Sequence, residues 1–280
     1  MNCFMFPGQP LSAGTALPDD ADFAQISELV CRAAHLEPRS FPGPAGEGSE
    51  DLRLQLFGVA QSLYRLRCLR RAGRRPGLVA QHSMGIYPAL VACASIGETE
   101  AIEITWRVGS SLARLGRAQD HAFGCVIGLR LDAVLALAGN NGVHLANHNT
   151  SRHFLIAGKR DRVKAAMTEA SACGAYSARS FDCDAPIHTP LMAQLEPELR
   201  GVFADYRYGE PACPLMDHLD QNYLRRADIP AFLLRQLSLP VYWERTYLAL
   251  RAAGVQEFVE VGAGEALKKY NRWIEAEYEA

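Results

Sequence analysis

Gln81-His82-Ser83-Met84-Gly85 is the stretch of this chain best suited to chemistry. A short apolar run, Gly77-Leu78-Val79-Ala80, precedes it, and an apolar-periodic segment from Ile86 to Ile96 follows. That order predicts a strand, a sharp turn and a helix, with Ser83 at the apex. A serine held there points its hydroxyl out of the turn. The helix behind it offers free backbone N–H groups and the positive end of its dipole to a developing oxyanion. Such placement makes a weak nucleophile competent for acyl transfer. The match to a G-x-S-x-G string is incomplete, because Gln81 stands at the first glycine. A serine capping an ordinary helix is the competing reading.

The elements that must position this turn are legible as periodic segments. Residues 2–6 read as a short buried strand ending at Pro7-Gly8. Residues 9–50 are rich in Gly, Pro, Ser and Asp, with a helix predicted near Phe23–Ala34 and a loop over Pro38–Ser49. Leu54, Phe57, Ala60, Leu63 and Leu66 recur on one face of a helix predicted over Arg53–Ala72. The helix after Ser83 is expected to end near Ala94, and another to span Glu98–Leu115. Residues 122–183 then change character. Strands are expected at Cys125–Leu129, Val143–Asn147, Phe154–Gly158 and Tyr176–Phe181, with helices at Asp132–Ala138 and Asp161–Cys173. That βαββαβ order is the signature of a small ferredoxin-like unit. It divides the flanking segments, 1–121 and 184–280, which carry further helices near Pro190–Asp205 and Ile229–Leu237. A last strand is expected at Glu257–Val261, closed by Gly262-Ala263-Gly264.

Composition bounds the function class. With 280 residues, 49% hydrophobic and 21% charged, the chain can build a sizeable soluble core. A net charge of −2 gives no basic excess for nucleic acid or an anionic membrane. The local run from Arg65 to Arg75 reads as the solvated C-terminal end of a helix, where cations are favoured. A docking patch for an acidic carrier protein is the alternative. The eight cysteines are scattered without C-x-x-C or metal-ligand spacing. Most read as small buried hydrophobes, and the set suits a protein in a reducing cytosol, so a cytoplasmic location is expected. The N-terminal Met1-Asn2-Cys3-Phe4-Met5-Phe6 lacks a cationic region and reads as a strand, not a leader. No run is long enough to span a bilayer.

Four separated strings line up in order: Phe6-Pro7-Gly8-Gln9, His82-Ser83-Met84-Gly85, Asp184 through Met192 (DAPIHTPLM), and Glu260-Val261-Gly262-Ala263-Gly264. Together they resemble the malonyl-CoA:acyl-carrier-protein transacylases and the acyltransferase domains of polyketide synthases. There the strings read roughly F-P-G-Q-G, G-H-S-x-G, A-x-H-S-x-x-M and E-x-G-P-G. The resemblance covers nearly the whole chain. It implies an α/β-hydrolase-like core with a parallel sheet plus the inserted ferredoxin-like subdomain. It also implies Ser83 as nucleophile and His188 as general base, oriented by the backbone carbonyl of Gln236 rather than by Asp182 or Asp184. The backbone N–H groups of Gln9 and Met84 would form the oxyanion hole. His82 and Asn149 would lie at the acyl pocket as substrate-binding residues. Taken alone, His188 could be a turn histidine, Gln9 a turn residue and Asn149 an Asx-turn.

The implied reaction is ping-pong. Coenzyme A leaves, an acyl-serine ester persists, and the phosphopantetheine thiol of an acyl carrier protein takes the acyl group. The thioester is substrate, and no bound cofactor or metal is implied. The resemblance places the reaction in fatty acid or polyketide biosynthesis, and the chain is expected to act as a monomer. Three departures bear on specificity. Pro10 replaces a glycine, Gln81 puts a side chain where strand and helix approach and is expected to tilt the turn, and Val108 falls where malonyl-selective members carry arginine. Arg107 sits one residue early, a rotation of about 100° on a helix. Either Arg107 reaches the pocket as the carboxylate clamp, or the clamp is absent and malonyl gives way to a neutral acyl group. The alternatives to transfer are a thioester hydrolase acting on carrier-bound acyl groups and a non-catalytic scaffold of the same fold.

Overall fold

The computed structural model describes residues 1–10, 17–37, 41 and 49–278, so of the loop expected over Pro38–Ser49 only Phe41 and Ser49 fall within the described residues. The chain runs through β1 (Asn2–Phe6), α1 (Ala21–Ala33), α2 (Glu50–Arg71), β2 (Leu78–Gln81), a 3-10 turn at Ser83–Gly85, α3 (Ile86–Ala92) and α4 (Glu98–Ala118). Then come β3 (His121–Ile127), α5 (Leu131–Asn141), β4 (His144–Thr150), β5 (His153–Lys159), α6 (Arg160–Ala172) and β6 (Ser177–Cys183). After a 3-10 turn at Pro190–Leu195 follow α7 (Glu196–Ala204), β7 (Leu215–Met216), α8 (Ile229–Ser238), β8 (Val241–Tyr242), α9 (Trp243–Ala252), β9 (Glu257–Glu260) and α10 (Ala266–Tyr278).

This is an α/β fold with one parallel and one mixed sheet. The parallel sheet has the order β7-β2-β1-β9. Phe4, Phe6 and Val79 belong to a core shared with α2, α3 and α4. Cys3, Met5, Leu78 and Ala80 belong to another, with Trp243 and Tyr247 of α9 and Leu267 and Ile274 of α10. A parallel sheet covered on both faces needs apolar residues at every position, which is why Cys3-Phe4-Met5-Phe6 shows no alternation.

The second sheet has the order β6-β3-β5-β4-β8. Its first four strands are antiparallel. Val126, Phe154 and Ile156 pack with Val134 and Leu137 of α5 and with Val163 and Met167 of α6. β8 comes from outside residues 122–183 and pairs parallel to β4, Asn147 opposite Val241 and His148 opposite Tyr242. The small sheet is therefore not closed within the segment expected to contain it. β3 begins at His121 rather than Cys125, and α4 continues to Ala118.

Helix α2 is capped by Ser49, whose hydroxyl accepts from the Leu52 N–H at 3.1 Å. Its basic end is held by the chain itself. Arg67 bonds Glu98 at 3.0 Å, Arg70 donates to the Val91 carbonyl at 2.8 Å, Arg71 pairs with Asp22 and Arg74 with Glu257. These pairings fit the solvated helix end better than a free patch for an acidic partner. All eight cysteines are unbridged. Among the described residues, no helix is long and apolar enough to cross a membrane.

Candidate active site

β2 delivers the chain into His82 and Ser83. Ser83 has φ +54°, in the left-handed region. A residue with a Cβ reaches it only when its surroundings hold it there. The hold comes from close packing behind the turn. A Cβ added at Gly85 would lie 2.2 Å from the Phe6 carbonyl oxygen, so only glycine lets the turn sit against the end of β1. The close approach falls at Gly85, and Gln81 stands at the end of β2. Its side chain is buried and its Oε1 accepts from His218 Nδ1–H at 2.8 Å.

The hydroxyl of Ser83 lies 2.6 Å from His188 Nε2, bringing together residues 105 positions apart. His188 Nδ1–H donates to the Gln236 carbonyl at 2.5 Å, which leaves Nε2 as the acceptor facing Ser83. The histidine also has a positive φ, +64°, and its N–H donates to the Leu237 carbonyl at 2.7 Å. Burial pushes the His188 imidazolium down to about 4, against the opposing pull of the Gln236 carbonyl. The ring is therefore neutral near pH 7. Neither nearby carboxylate orients it. Asp184 bonds the Ser49 hydroxyl, and Asp182 pairs with Arg160.

Gln9 follows Gly8, where an added Cβ would stand 3.0 Å from His82 Nδ1 and 3.4 Å from Ser83 Cβ. The loop after β1 thus passes directly over the serine turn. Among the described residues, neither the Gln9 N–H nor the Met84 N–H donates to a protein acceptor. The Gln9 side chain donates to Asp51 at 2.8 Å and accepts from Gln55 at 3.1 Å. Asp51 also accepts the Asp184 N–H at 2.7 Å. The first turns of α2 therefore fix both the Gln9 loop and the start of the segment leading to His188. Pro10 and the Met84 side chain both rest on Gly58 of α2, within 2.8 Å of where a Cβ would stand.

His82 Nε2–H donates to Asn149 Oδ1 at 2.9 Å, and Asn149 Nδ2 donates to His153 Nδ1 at 3.1 Å. Asn149 is thus a bridge between the serine turn and the small sheet, not a local Asx-turn. Asn147 lies 3.3 Å from the same His82 nitrogen. Neither His153 nor His218 is legible in the sequence, because a single histidine at the head of an apolar strand or beside a turn has no spacing to read. Burial pushes His153 down to about 4 as well.

Arg107 is the residue the structure takes out of the site. Its guanidinium donates to Asp205 at 2.7 Å and lies over the Tyr206 ring, 5.7 Å from the centroid. With Trp106, Arg114 and Glu198 it lines a groove between α4 and α7. Among the described residues, it makes no hydrogen bond to His82, Ser83, Asn149 or His188. Val108, one residue on, is 3% exposed and belongs to the buried cluster that holds Met84 and Met192. The α4 register, not a local distortion, sets this: the outward face is ion-paired and the inward face is apolar. Arg107→Ala is accordingly expected to change KM for malonyl-CoA and for acetyl-CoA by less than about twofold each, since a solvent-screened pair is worth little. Steady-state kinetics with both donors checks this, and a rise confined to malonyl-CoA would return Arg107 to the pocket.

A buried serine–histidine pair at a strand–turn–helix apex is the equipment of a serine-dependent acyl-transfer enzyme. Residues 42–269 match the family described as the acyl transferase domain, and the chain belongs to that family. The malonyl CoA-acyl carrier protein transacylase of Escherichia coli strain K12 is 28% identical over 278 residues, covering 94% of this chain and 89% of that protein. The polyketide biosynthesis protein ThaF of Burkholderia thailandensis is 26% identical over 286 residues, 98% of this chain but only 24% of ThaF. The chain thus spans about a quarter of one curated relative and nearly all of the other. An acyl carrier protein S-malonyltransferase from Vibrio cholerae superposes with a TM-score of 0.86 at 25% identity, covering 98% and 93% of the two chains.

Proposed function

We propose that this acyltransferase moves an acyl group from coenzyme A to the phosphopantetheine thiol of an acyl carrier protein through an ester on Ser83. The observation that carries the reading is the 2.6 Å contact between Ser83 Oγ and His188 Nε2. Neutral His188 takes the hydroxyl proton as Oγ attacks the thioester carbonyl. The Gln236 carbonyl holds the tautomer and steadies the imidazolium that forms. The N–H groups of Gln9 and Met84 receive the oxyanion, each worth roughly 3–4 kcal/mol in reactions of this kind. Collapse breaks the C–S bond, and His188 returns the proton to the departing sulfur. In the second half the carrier thiol gives its proton to His188, attacks the ester carbonyl, and Ser83 leaves with that proton.

The donor named for the Escherichia coli and Vibrio cholerae proteins is malonyl, and malonyl is the first donor to test here. Val108 supports a second reading. A malonyl carboxylate facing this buried valine would be unpaired and costly. Among the described residues, no lysine or arginine hydrogen-bonds His82, Ser83, Asn149 or His188. If the acyl group meets this position, a neutral acyl group, or release of acyl groups to water, fits it better. Intact-mass measurement after incubation with malonyl-CoA and with acetyl-CoA separates these readings, followed by chase with carrier protein or buffer. A malonyl adduct that persists in buffer and passes to the carrier supports transfer. An acetyl adduct that decays in buffer alone supports hydrolysis. No adduct from either donor would leave only the scaffold reading.

The same reading extends to organisation. The parallel sheet and its helices, 1–121 and 184–280, are taken as an α/β-hydrolase-like catalytic core. Residues 122–183 are taken as an inserted ferredoxin-like subdomain, supported by the strand order β6-β3-β5-β4. Among the described residues, no group of three or more His, Cys, Asp or Glu side chains is placed to hold a metal ion. Unbridged cysteines support a cytoplasmic setting.

A further inference from the structure

Cys93 caps the C-terminal end of α3, and Cys213 precedes Pro214 at the entry to β7. Their Sγ atoms lie 3.4 Å apart, and no bond joins them. The two backbones are clamped beside each other. The Ala212 N–H donates to the Cys93 carbonyl at 2.8 Å, and the Gly209 N–H donates to the Ser95 carbonyl at 2.7 Å. A disulfide needs sulfurs about 2.05 Å apart on backbones already close. Here the sulfurs start 3.4 Å apart on neighbouring backbones. Among the described residues, no other pair of cysteine sulfurs lies within hydrogen-bond reach of each other.

The two thiols are unequal. Cys93 is fully buried, whereas Cys213 is half-buried and lines an open cavity of about 520 Å³ with Pro211, Tyr223 and Arg225. A reagent meets Cys213 first. The hydrogen bond from Cys93 holds the Cys213 thiol below its ordinary range, and the Arg70 guanidinium adds to this against burial. The same bond, together with burial, raises the Cys93 thiol. Thiolate character therefore gathers on the accessible sulfur, the arrangement of an attacking cysteine beside a resolving one.

We propose that Cys93 and Cys213 are an oxidant-sensitive modification site that a small organic disulfide of the glutathione class converts into an intrachain disulfide. The Cys213 thiolate attacks one sulfur of the small disulfide, whose S–S bond breaks, and the first thiolate leaves. The Cys93 thiol gives up its proton and attacks Cys213 Sγ, expelling the second thiolate. The two protons end on the two released thiols. Two cysteine thiols are oxidised and one small disulfide is reduced. The bond ties the far end of α3, the helix that starts behind Ser83, to the segment entering the strand beside β2. It closes a loop of 120 positions.

The test is incubation of the folded protein with oxidised glutathione, alkylation without denaturant, and peptide mapping. Wild type is expected to lose two hydrogen masses in a Cys93–Cys213 linked peptide, and its thermal midpoint to rise by about 5 °C or more. Cys93→Ser is expected to trap a stable glutathione adduct on Cys213. Cys213→Ser is expected to leave Cys93 unmodified. Exposed Cys173 serves as the internal control for reagent activity. A wild-type protein that modifies Cys173 but leaves Cys93 and Cys213 as free thiols overturns the proposal. So does one that keeps a lasting adduct on Cys213.

Discussion

Replacing Ser83 with alanine is expected to eliminate the acyl-enzyme mass adduct and to lower kcat/KM by at least about 10⁴-fold. The substitution removes only Oγ. Alanine is no worse suited than serine to φ +54°, and Gly85 still admits the turn against Phe6. Folding should therefore survive, which a thermal melt checks alongside the kinetics. Loss of activity with an intact fold isolates the hydroxyl. Adduct formation at an undiminished rate on the variant would show that another side chain is the nucleophile. The scale is set by the chemistry: without Oγ there is no covalent step, and only the proposed oxyanion donors, the N–H groups of Gln9 and Met84, could still assist attack by water.

Acid should strike this protein earlier than its net charge suggests. His188 and His153 are both held down to about 4 by burial, and His82 and His218 are shifted in the same direction for the same reason. The unfolded chain regains histidines titrating near 6.5. Between roughly pH 6.5 and 4 the unfolded state therefore binds more protons than the folded one. Stability is fully present above that window and is lost as pH falls through it. His188 and His153 each withdraw up to roughly 3 kcal/mol across it, a large share of an ordinary domain's stability of about 5–15 kcal/mol. Denaturant midpoints measured from pH 7 down to 4 should drop steeply. Over the same range, as long as the protein stays folded, acylation should hold level to about pH 5 if neutral His188 is the base, as proposed. An acylation limb centred near 6.5 would mean that the histidine is wetter than the geometry shows.

Much of this was legible from the chain. Ser83 announced itself because strand, turn and helix signals fall on either side of it within a few residues. The βαββαβ run was readable because each of its elements is long enough to show a period. β7 and β8 were not, since two residues carry no alternation, and β3 hid its start because His121 and Gly124 interrupt the apolar pattern. The meeting of Ser83 with His188 could be named only from resemblance, since nothing local links residues so far apart. Arg107 shows the opposite limit. Adjacent positions on α4 face a salt-bridged groove and a buried core, so an offset of one residue decides whether a charge reaches substrate or solvent. From the sequence, Gln81 reads as an intrusion at the elbow. His218, far along the chain, receives it with a hydrogen bond, and no spacing rule connects the two.

β8 has one more implication. Its two residues stand between α8, whose Gln236 carbonyl aims His188, and α9, while pairing with the β4 segment that contains Asn147 and His148 and leads to Asn149. The wall beside His82 and the support behind the base are therefore parts of one hydrogen-bonded span. A long acyl chain that levers the small sheet outward would also drag on the imidazole. Acyl groups too bulky for the site should then be rejected through lost turnover as well as weakened binding.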